Sequence, residues 1–430
     1  FLNGLIVMFF YKKAAEKNFK DDPEIFNSVK EIIENVRNKG DKALSQYNEK
    51  FGGIAMDSFR VSEEDIEKAY LEISNELRGA IERSAYNIKN FALLQRDTIK
   101  PLLATETSRG IFLGHTIIPV DSCCCYVPGG NHPLFSTALM LVIPARTAGV
   151  KRVCAAVPPM AGSRLPHPAT LAALKIAGAN EVYAVGGAQA VAAFAYGTES
   201  IAPVAMIVGP GNKYVTEAKR QVYGKVGIDF IAGPSEVLVI ADEKADPAVI
   251  AADILAQSEH DVDAAGILIT TSKEIAEKVS SEVKKQLAGL DTADIAAEAW
   301  EKNGIIMVAD SLEEAAEAAN EIAPEHLEIN TEEPDKLVPL LRNYGSLFIG
   351  EGSAEVFGDY VAGTNHTLPT MGAAKYTGGV SVMTFLKVCT FQRITAEGAD
   401  LLAPVAEVMA LNEGLSAHAG AARVRMKKRS

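Results

Sequence analysis

The 430-residue chain is 48% hydrophobic and 23% charged, with a formal net charge of −13 and a pI near 5.2. Its length exceeds one ordinary core and favours two large units with smaller appendages. The acidic balance leaves no cationic excess to neutralise phosphates, which excludes general nucleic-acid binding but not a local phosphate pocket built from backbone N–H groups.

The N-terminal FLNGLIVMFFYKK is apolar. It is shorter than the roughly 20 residues a membrane-spanning helix needs. It also lacks the basic lead and small-residue cleavage site of a signal peptide. An expression scar, a mis-assigned start and a docking segment all remain open for it. Residues 20–112 read as mainly helical scaffold. Asp22-Pro23-Glu24 starts a helix with Pro in its first turn, and Phe26, Val29, Ile32, Ile33 and Val36 form an amphipathic stripe that Gly40 ends. Ser62–Asp65 is a second helix start, and a long helix runs from about Ile73 to Asp97.

From residue 113 apolar β runs alternate with Ala-rich helices. Runs at Thr116–Val120, Arg152–Val157, Glu181–Val185 and Ala205–Val208 predict a parallel sheet covered on both faces, over residues 113–232. The pattern restarts at 233 and continues to 380. It has runs at Val237–Ala241, Gly266–Thr270, Gly304–Val308, Leu327–Ile329 and Ser346–Ile349, with helices between them at 247–259, 273–288, 312–322 and 334–343. Residues 381–430 form a helical tail, its helix running from about Ala396 to Val424. The fold class is therefore α/β, with two adjacent parallel-sheet units, a helical N-terminal region and a helical C-terminal tail. Cys123, Cys124 and Cys125 are consecutive, while Cys154 and Cys389 are isolated. An odd count with no CxxC predicts reduced thiols in a cytoplasmic protein, the triplet lying in a buried strand.

Three loops of the first unit are rich in glycine: Tyr126-Val127-Pro128-Gly129-Gly130, Val185-Gly186-Gly187-Ala188-Gln189 and Gly209-Pro210-Gly211-Asn212. Loops at the carboxyl ends of strands suit a nucleotide, yet none is a GxGxxG. Tight turns and a nucleotide site both remain open on pattern alone. In the second unit, Ile228–His260 combines a Gly233-Pro234-Ser235 turn, a strand and a helix that ends on Gln257-Ser258-Glu259-His260. Residues three apart share a helix face, so Gln257 and His260 form a candidate ligand pair. His260, His326, His366 and His418 each stand beside acidic or amide residues. Nitrogen and oxygen donors without thiolates suit zinc or another borderline cation. No HExxH is present.

The stretch Ile228-Asp229-x-x-Ala232-Gly233-Pro234-Ser235-Glu236, continuing to Asp253-Ile254-Leu255-Ala256-Gln257-Ser258-Glu259-His260, resembles the signature of the histidinol dehydrogenase family. YVPGG at 126–130, VGGAQAVAA at 185–193, GPGNKYVTEAKRQV at 209–222, APEHLE at 323–328, GDYVAGTNHTLPT at 358–370 and EGLSAH at 413–418 follow the family in the same order. The resemblance implies degenerate Rossmann-like units and an NAD-linked, zinc-dependent oxidation of an amino alcohol to an amino acid through an aldehyde. It implies one zinc per subunit, held by Gln257, His260, Asp359 and His418, with His418 supplied across a homodimer that shares its active sites. It makes Glu325 and His326 the acid/base pair. Ser235, His366 and Glu413 would contact substrate together with Gln257, His260, His326, Asp359 and His418, and Tyr126, Gln189 and Asn212 would line the NAD site. Neither a membrane nor a nucleic acid is expected as a partner. Tyr376-Thr377-Gly378-Gly379 departs from the biosynthetic enzymes and resembles relatives that oxidise other alcohols such as sulfonated diols. A paralogue of that kind, or an inactive zinc-stabilised dimer, is the alternative.

Overall fold

The computed structural model describes residues 9–14, 22–129 and 133–426. Gly130, His132 and most of the apolar N-terminal stretch lie outside them. A short strand β1 (Phe9–Lys12) is followed by four helices, α1 (Pro23–Lys39), α2 (Asp41–Gly52), α3 (Glu63–Glu72) and α4 (Asn75–Thr98). Helix α1 starts as the sequence predicts. Asp22 caps it by accepting from the backbone N–H of Glu24 (3.0 Å) and Ile25 (3.2 Å), and Val29, Ile32, Ile33 and Val36 are its buried stripe.

Strands β2 (Leu102–Ser108) and β3 (Ile111–Pro119) come next. The first parallel unit follows: β4 (Ser122–Tyr126), α5 (Phe135–Ala148), β5 (Arg152–Val157), α6 (Pro168–Ala177), β6 (Glu181–Ala184), α7 (Gly187–Tyr196), β7 (Met206–Val208), α8 (Lys213–Val222) and β8 (Gly227–Ile228). The second unit holds β9 (Glu236–Ala241), α9 (Pro247–Ser258), β10 (Ala265–Thr270), α10 (Lys273–Leu287), α11 (Ala293–Asn303), β11 (Ile305–Val308), α12 (Leu312–Ile322), β12 (His326–Asn330), β13 (Ser346–Ile349) and α13 (Glu355–Tyr360). The chain ends with β14 (Leu386–Ile394), α14 (Ala396–Asn412) and α15 (Ser416–Arg423).

The first sheet has the order β6-β5-β4-β7-β8, and the second has β11-β10-β9-β12-β13 with β1 added antiparallel on β11. Numbered within each unit, both read 3-2-1-4-5, the start of the doubly wound pattern. Strand β9 is buried along its whole length, and Val237, Leu238, Val239 and Ile240 show no exposure. Each such side chain contributes about 1.5–3 kcal/mol, which explains why the uninterrupted apolar run becomes a central strand. The Cys123–Cys125 triplet lies buried in β4 as expected. Burial pushes the thiols of Cys124 and Cys125 well up, so they behave as small apolar side chains.

Several local expectations change. The run at Thr116–Val120 is not part of a parallel sheet. It belongs to β3, the middle of a separate antiparallel sheet ordered β14-β3-β2. The tail therefore opens with a nine-residue strand before its helices. The helix expected at 334–343 is two short 3₁₀ turns, Pro334–Lys336 and Val338–Leu340, because Pro339 falls inside that span and removes a donor an α-helix would need. Helix α11 was not expected, although Ala296, Ala299 and Trp300 give it a short buried stripe. Helix α9 stops at Ser258, so His260 sits in the turn beyond it, its N–H donating to the Gln257 carbonyl at 3.3 Å. Gly414 at φ 78° separates α14 from α15, placing His418 in the first turn of a second tail helix. Among the described residues, no helix is long and apolar enough to cross a membrane.

Candidate active site

The two units meet on opposite strand edges. In the first unit, the carboxyl ends of β4 and β7 carry Tyr126 and the Gly209-Pro210-Gly211-Asn212 loop, at the point where the strand order reverses. In the second unit, the amino ends of β9 and β12 carry Ser235-Glu236 and Glu325-His326. The Asp229–Ser235 segment joins them. The loop after α13 crosses back to the first unit, where Asn365 Nδ2 donates to the Met140 carbonyl of α5 at 2.6 Å and His366 Nε2 lies 3.3 Å from Thr137 Oγ1.

Tyr126, Gln189 and Asn212 line one cavity of about 740 Å³. The Tyr126 hydroxyl accepts from Gly187 N at 3.0 Å, tying two glycine-rich loops together. Asn212 caps α8 by accepting from Tyr214 N and Val215 N, which turns that helix N-terminus toward the cavity. The third loop is clamped from behind. The buried ion pair Lys219–Asp229 takes both backbone groups of Gly209: Asp229 Oδ2 accepts its N–H at 2.7 Å and Lys219 Nζ donates to its carbonyl at 2.9 Å. Gly209 stands at φ 118°, and a Cβ there would lie 2.3 Å from the Tyr126 carbonyl oxygen. Lys50, Phe51 and Gly52 at the end of α2 also line the cavity, so the N-terminal helices contribute to it rather than serving as scaffold alone.

At the amino edge of the second sheet, His326 is 3% exposed. Its Nδ1 lies 3.1 Å from the Glu236 carbonyl oxygen, which can only accept, so Nδ1 carries the proton. Nε2 is buried, has no hydrogen-bond partner and lies 3.7 Å from Asp359 Oδ1. Burial lowers the His326 pKa to about 4, with Asp359 pulling the other way. The Glu325 carboxyl accepts from Glu236 N at 3.0 Å and from the Ser235 side chain. Burial, followed by the charges of Glu236 and Asp359, holds its pKa well above the ordinary range. His366 donates from Nδ1 to the Asp359 carbonyl at 2.9 Å, and burial lowers its pKa too.

Backbone conformations around this edge are unusual. Ala323, just before Pro324-Glu325-His326, has φ 54°, and Met371 has φ 55°. Met371 N donates to Glu236 Oε1 at 3.3 Å, and the Met371 thioether fills the place a Cβ on Gly233 would take, 2.1 Å away. A non-glycine residue at positive φ costs about 1–3 kcal/mol and persists where its surroundings fix it.

Donor atoms of His326, Glu355 and Asp359 lie within 4.8 Å of one another. Only Asp359 belongs to the ligand set expected from sequence. Gln257, 1% exposed, adjoins this group through Glu355. His260 is exposed but close enough for its charge to lower the pKa values of His326 and His366. Glu413 caps α14 and His418 starts α15; both are exposed on the tail, in contrast to the buried cluster. The donor set fits a divalent cation. Gln257, assigned with its amide nitrogen on Glu355, turns its oxygen away from that carboxyl, Asp359 adds a carboxylate, and the buried Nε2 of His326 lies beside Asp359.

Sequence reasoning missed the acidic residues beneath this cluster. Glu355, Glu328 and Asp253 are stacked behind Gln257, and burial raises the pKa of each, that of Asp253 to about 6. The signal was available: Asp253 and Gln257 are four residues apart on α9, and so are Glu355 and Asp359 on α13.

A family profile described as histidinol dehydrogenase matches residues 15–426. A histidinol dehydrogenase of Methanothermobacter thermautotrophicus is 44% identical over 98% of this chain and 99% of its own. A histidinol dehydrogenase homolog of Shouchella clausii is 43% identical over 96% and 97%. The crystal structure of a histidinol dehydrogenase from Elizabethkingia anophelis superposes with a TM-score of 0.90 at 39% identity, covering 96% of this chain and 94% of that one.

Proposed function

The chain belongs to the histidinol dehydrogenase family, and from that premise we propose that it oxidises L-histidinol to L-histidine through histidinal, using two NAD and one zinc per subunit. The observation that carries this reading is His326: one ring nitrogen is anchored to a backbone carbonyl, and the other is bare, buried and turned toward Asp359.

Gln257, His260 and Asp359, with the partner subunit's His418, would hold zinc, which supplies a Lewis-acidic anchor for the substrate's amino and imidazole nitrogens. Tyr126, Gln189 and Asn212 would bind NAD, which supplies the hydride acceptor. The chain's own residues move the protons. His326 Nε2 takes the hydroxyl proton as hydride leaves the carbinol carbon, giving the aldehyde. Glu325, as carboxylate, takes a proton from water as the water oxygen adds to the aldehyde carbon, while protonated His326 returns its proton to the aldehyde oxygen, giving the hydrate and a neutral His326. His326 then takes a hydroxyl proton of the hydrate as the second hydride leaves, giving the carboxylic acid, which releases its remaining proton to become the carboxylate. Ser235 holds Glu325 for this task. His366, neutral and anchored at both ring nitrogens, lines the same joint, and Glu413 would meet the cationic end of the substrate.

A homodimer accounts for the tail. Leu401, Val405, Val408, Met409 and Leu411 of α14 are each at least half exposed, a larger apolar face than a solitary chain usually leaves in water. A partner covering it would bring His418 and Glu413 to the neighbouring site. Five free thiols, the described ones without a disulfide, agree with a cytoplasmic enzyme.

The runner-up is the same chemistry on another alcohol. It is favoured by the near-equal similarity to a protein named only as a homolog and by the Tyr376-Thr377-Gly378-Gly379 segment, whose Tyr376 is 76% exposed. Offering L-histidinol and a sulfonated diol separately to the zinc-loaded protein decides between them. NADH formed with histidinol supports the first reading, and NADH formed only with the diol rejects it.

A further inference from the structure

Gln257 is an uncommon cation ligand, and the side chain behind it supplies a reason that it can serve as one. Glu355, 2% exposed, opens α13, and its backbone N–H donates to Glu328 Oε1 at 3.0 Å. Glu328 hydrogen-bonds Asp253, one helical turn before Gln257 on α9. The four side chains thus close a loop running from α9 through β12 and α13 and back to α9. Within it, the Gln257 amide nitrogen donates to Glu355 Oε2 at 3.2 Å and also to Oε1; the reverse orientation would set carbonyl oxygen against carboxyl oxygen.

An amide binds a cation through its oxygen, because its nitrogen is a donor only. A glutamine free to turn over would present the wrong end. We propose that Glu355 is a positioning residue that fixes the Gln257 amide with Oε1 toward the cation and thereby sets the site's zinc affinity. Glu355 keeps an acceptor oxygen for the amide nitrogen in either protonation state. A carboxyl accepting from the amide N–H also draws electron density onto the ligating oxygen, the usual effect of an outer partner on a metal ligand. A glutamate at 257 would add a further carboxyl to a buried stack that already holds Asp253, Glu328 and Glu355.

This inference rests on the zinc reading above. Its test is zinc affinity, measured by titrating the metal-stripped full-length protein with zinc against a chromophoric chelator. Glu355→Gln, which keeps the side chain's shape and leaves either amide orientation satisfied, is expected to weaken zinc binding by about 10- to 100-fold. Thermal unfolding of the metal-free variant should stay cooperative. Gln257→Glu is expected to weaken binding further. The double variant Gln257→Glu/Glu355→Gln again faces one donor with one acceptor, and should recover to within about tenfold of the original affinity. Unchanged affinity in Glu355→Gln overturns the proposal, as does a double variant no better than Gln257→Glu. An unsubstituted protein that takes up no zinc rejects the metal reading itself.

Discussion

The Nδ1 atom of His326 lies 3.1 Å from the backbone carbonyl oxygen of Glu236, the first residue of the neighbouring strand. A carbonyl cannot donate, so this contact fixes the tautomer and leaves Nε2 as the only basic nitrogen. It also ties the acid/base edge to the parallel pairing of β9 and β12, in which His326 stands opposite Val237. The base is therefore held by sheet register rather than by a loop.

Replacing His326 with Asn keeps a polar side chain but removes the base. The turnover number is expected to fall by roughly 10²–10⁴-fold. Because His326 is outside the expected ligand set, zinc content should hold. Loss of zinc in step with activity, measured by atomic absorption, would count His326 among the ligands instead.

Glu325 and His326 should separate the two oxidations by pH. Burial lowers the His326 pKa to about 4, so its neutral, basic form persists on the acid side of neutrality. Burial raises that of Glu325 well above 4.5, so its carboxylate form is lost first as pH falls. The aldehyde step should therefore decline toward acid pH while the alcohol step continues. Comparing kcat/KM for histidinal and histidinol across pH reads this directly. Glu325→Gln should slow only the aldehyde step and release aldehyde-level product; unchanged full oxidation would remove Glu325 from the role.

Asp253 links the site to stability. Its pKa is raised by burial from 3.8 to about 6, so between those values the folded chain keeps a proton that the unfolded chain releases. Stability from this group is greatest on the acid side and is lost as pH rises through about 6. Asp253→Asn removes the titration and keeps a partner for Glu328. The Tm of the metal-free variant should fall less than that of the parent between about pH 4 and pH 7. Parallel Tm–pH curves would contradict this.

The shared site predicts complementation. Homodimers of His326→Asn and of His418→Ala should each be impaired. Mixed after reversible dissociation, they should form hybrids with one complete site, restoring about a quarter of full activity by random pairing. Activity that stays at the mean of the two parents would place His418 in its own chain's site or outside the chemistry.

Much of this was legible in local pattern. The β9 strand announces itself through an unbroken apolar run, and α1 through its Asp22 cap and stripe. Gln257 and His326 stand in motifs that could be read directly. What stayed hidden depends on distant pairing or on burial. The β3–β14 ladder joins Ile111–Pro119 to Leu386–Ile394, a separation no local pattern reports. Helical spacing places Asp253 below Gln257 and Glu355 below Asp359, but that these acids are buried together with Glu328 follows only from the packing of α9, β12 and α13. The second unit's use of its amino strand edge is likewise a matter of how two similar sheets are set against each other.

The proposed activity is a four-electron oxidation of one substrate at one site. The most direct measurement is the yield of NADH from a limiting amount of L-histidinol, with the zinc-loaded protein and excess NAD. Two NADH are expected for each histidinol consumed, with histidine as the product. A yield of one, with histidinal accumulating, or no NADH at all from a zinc-loaded protein, would contradict it.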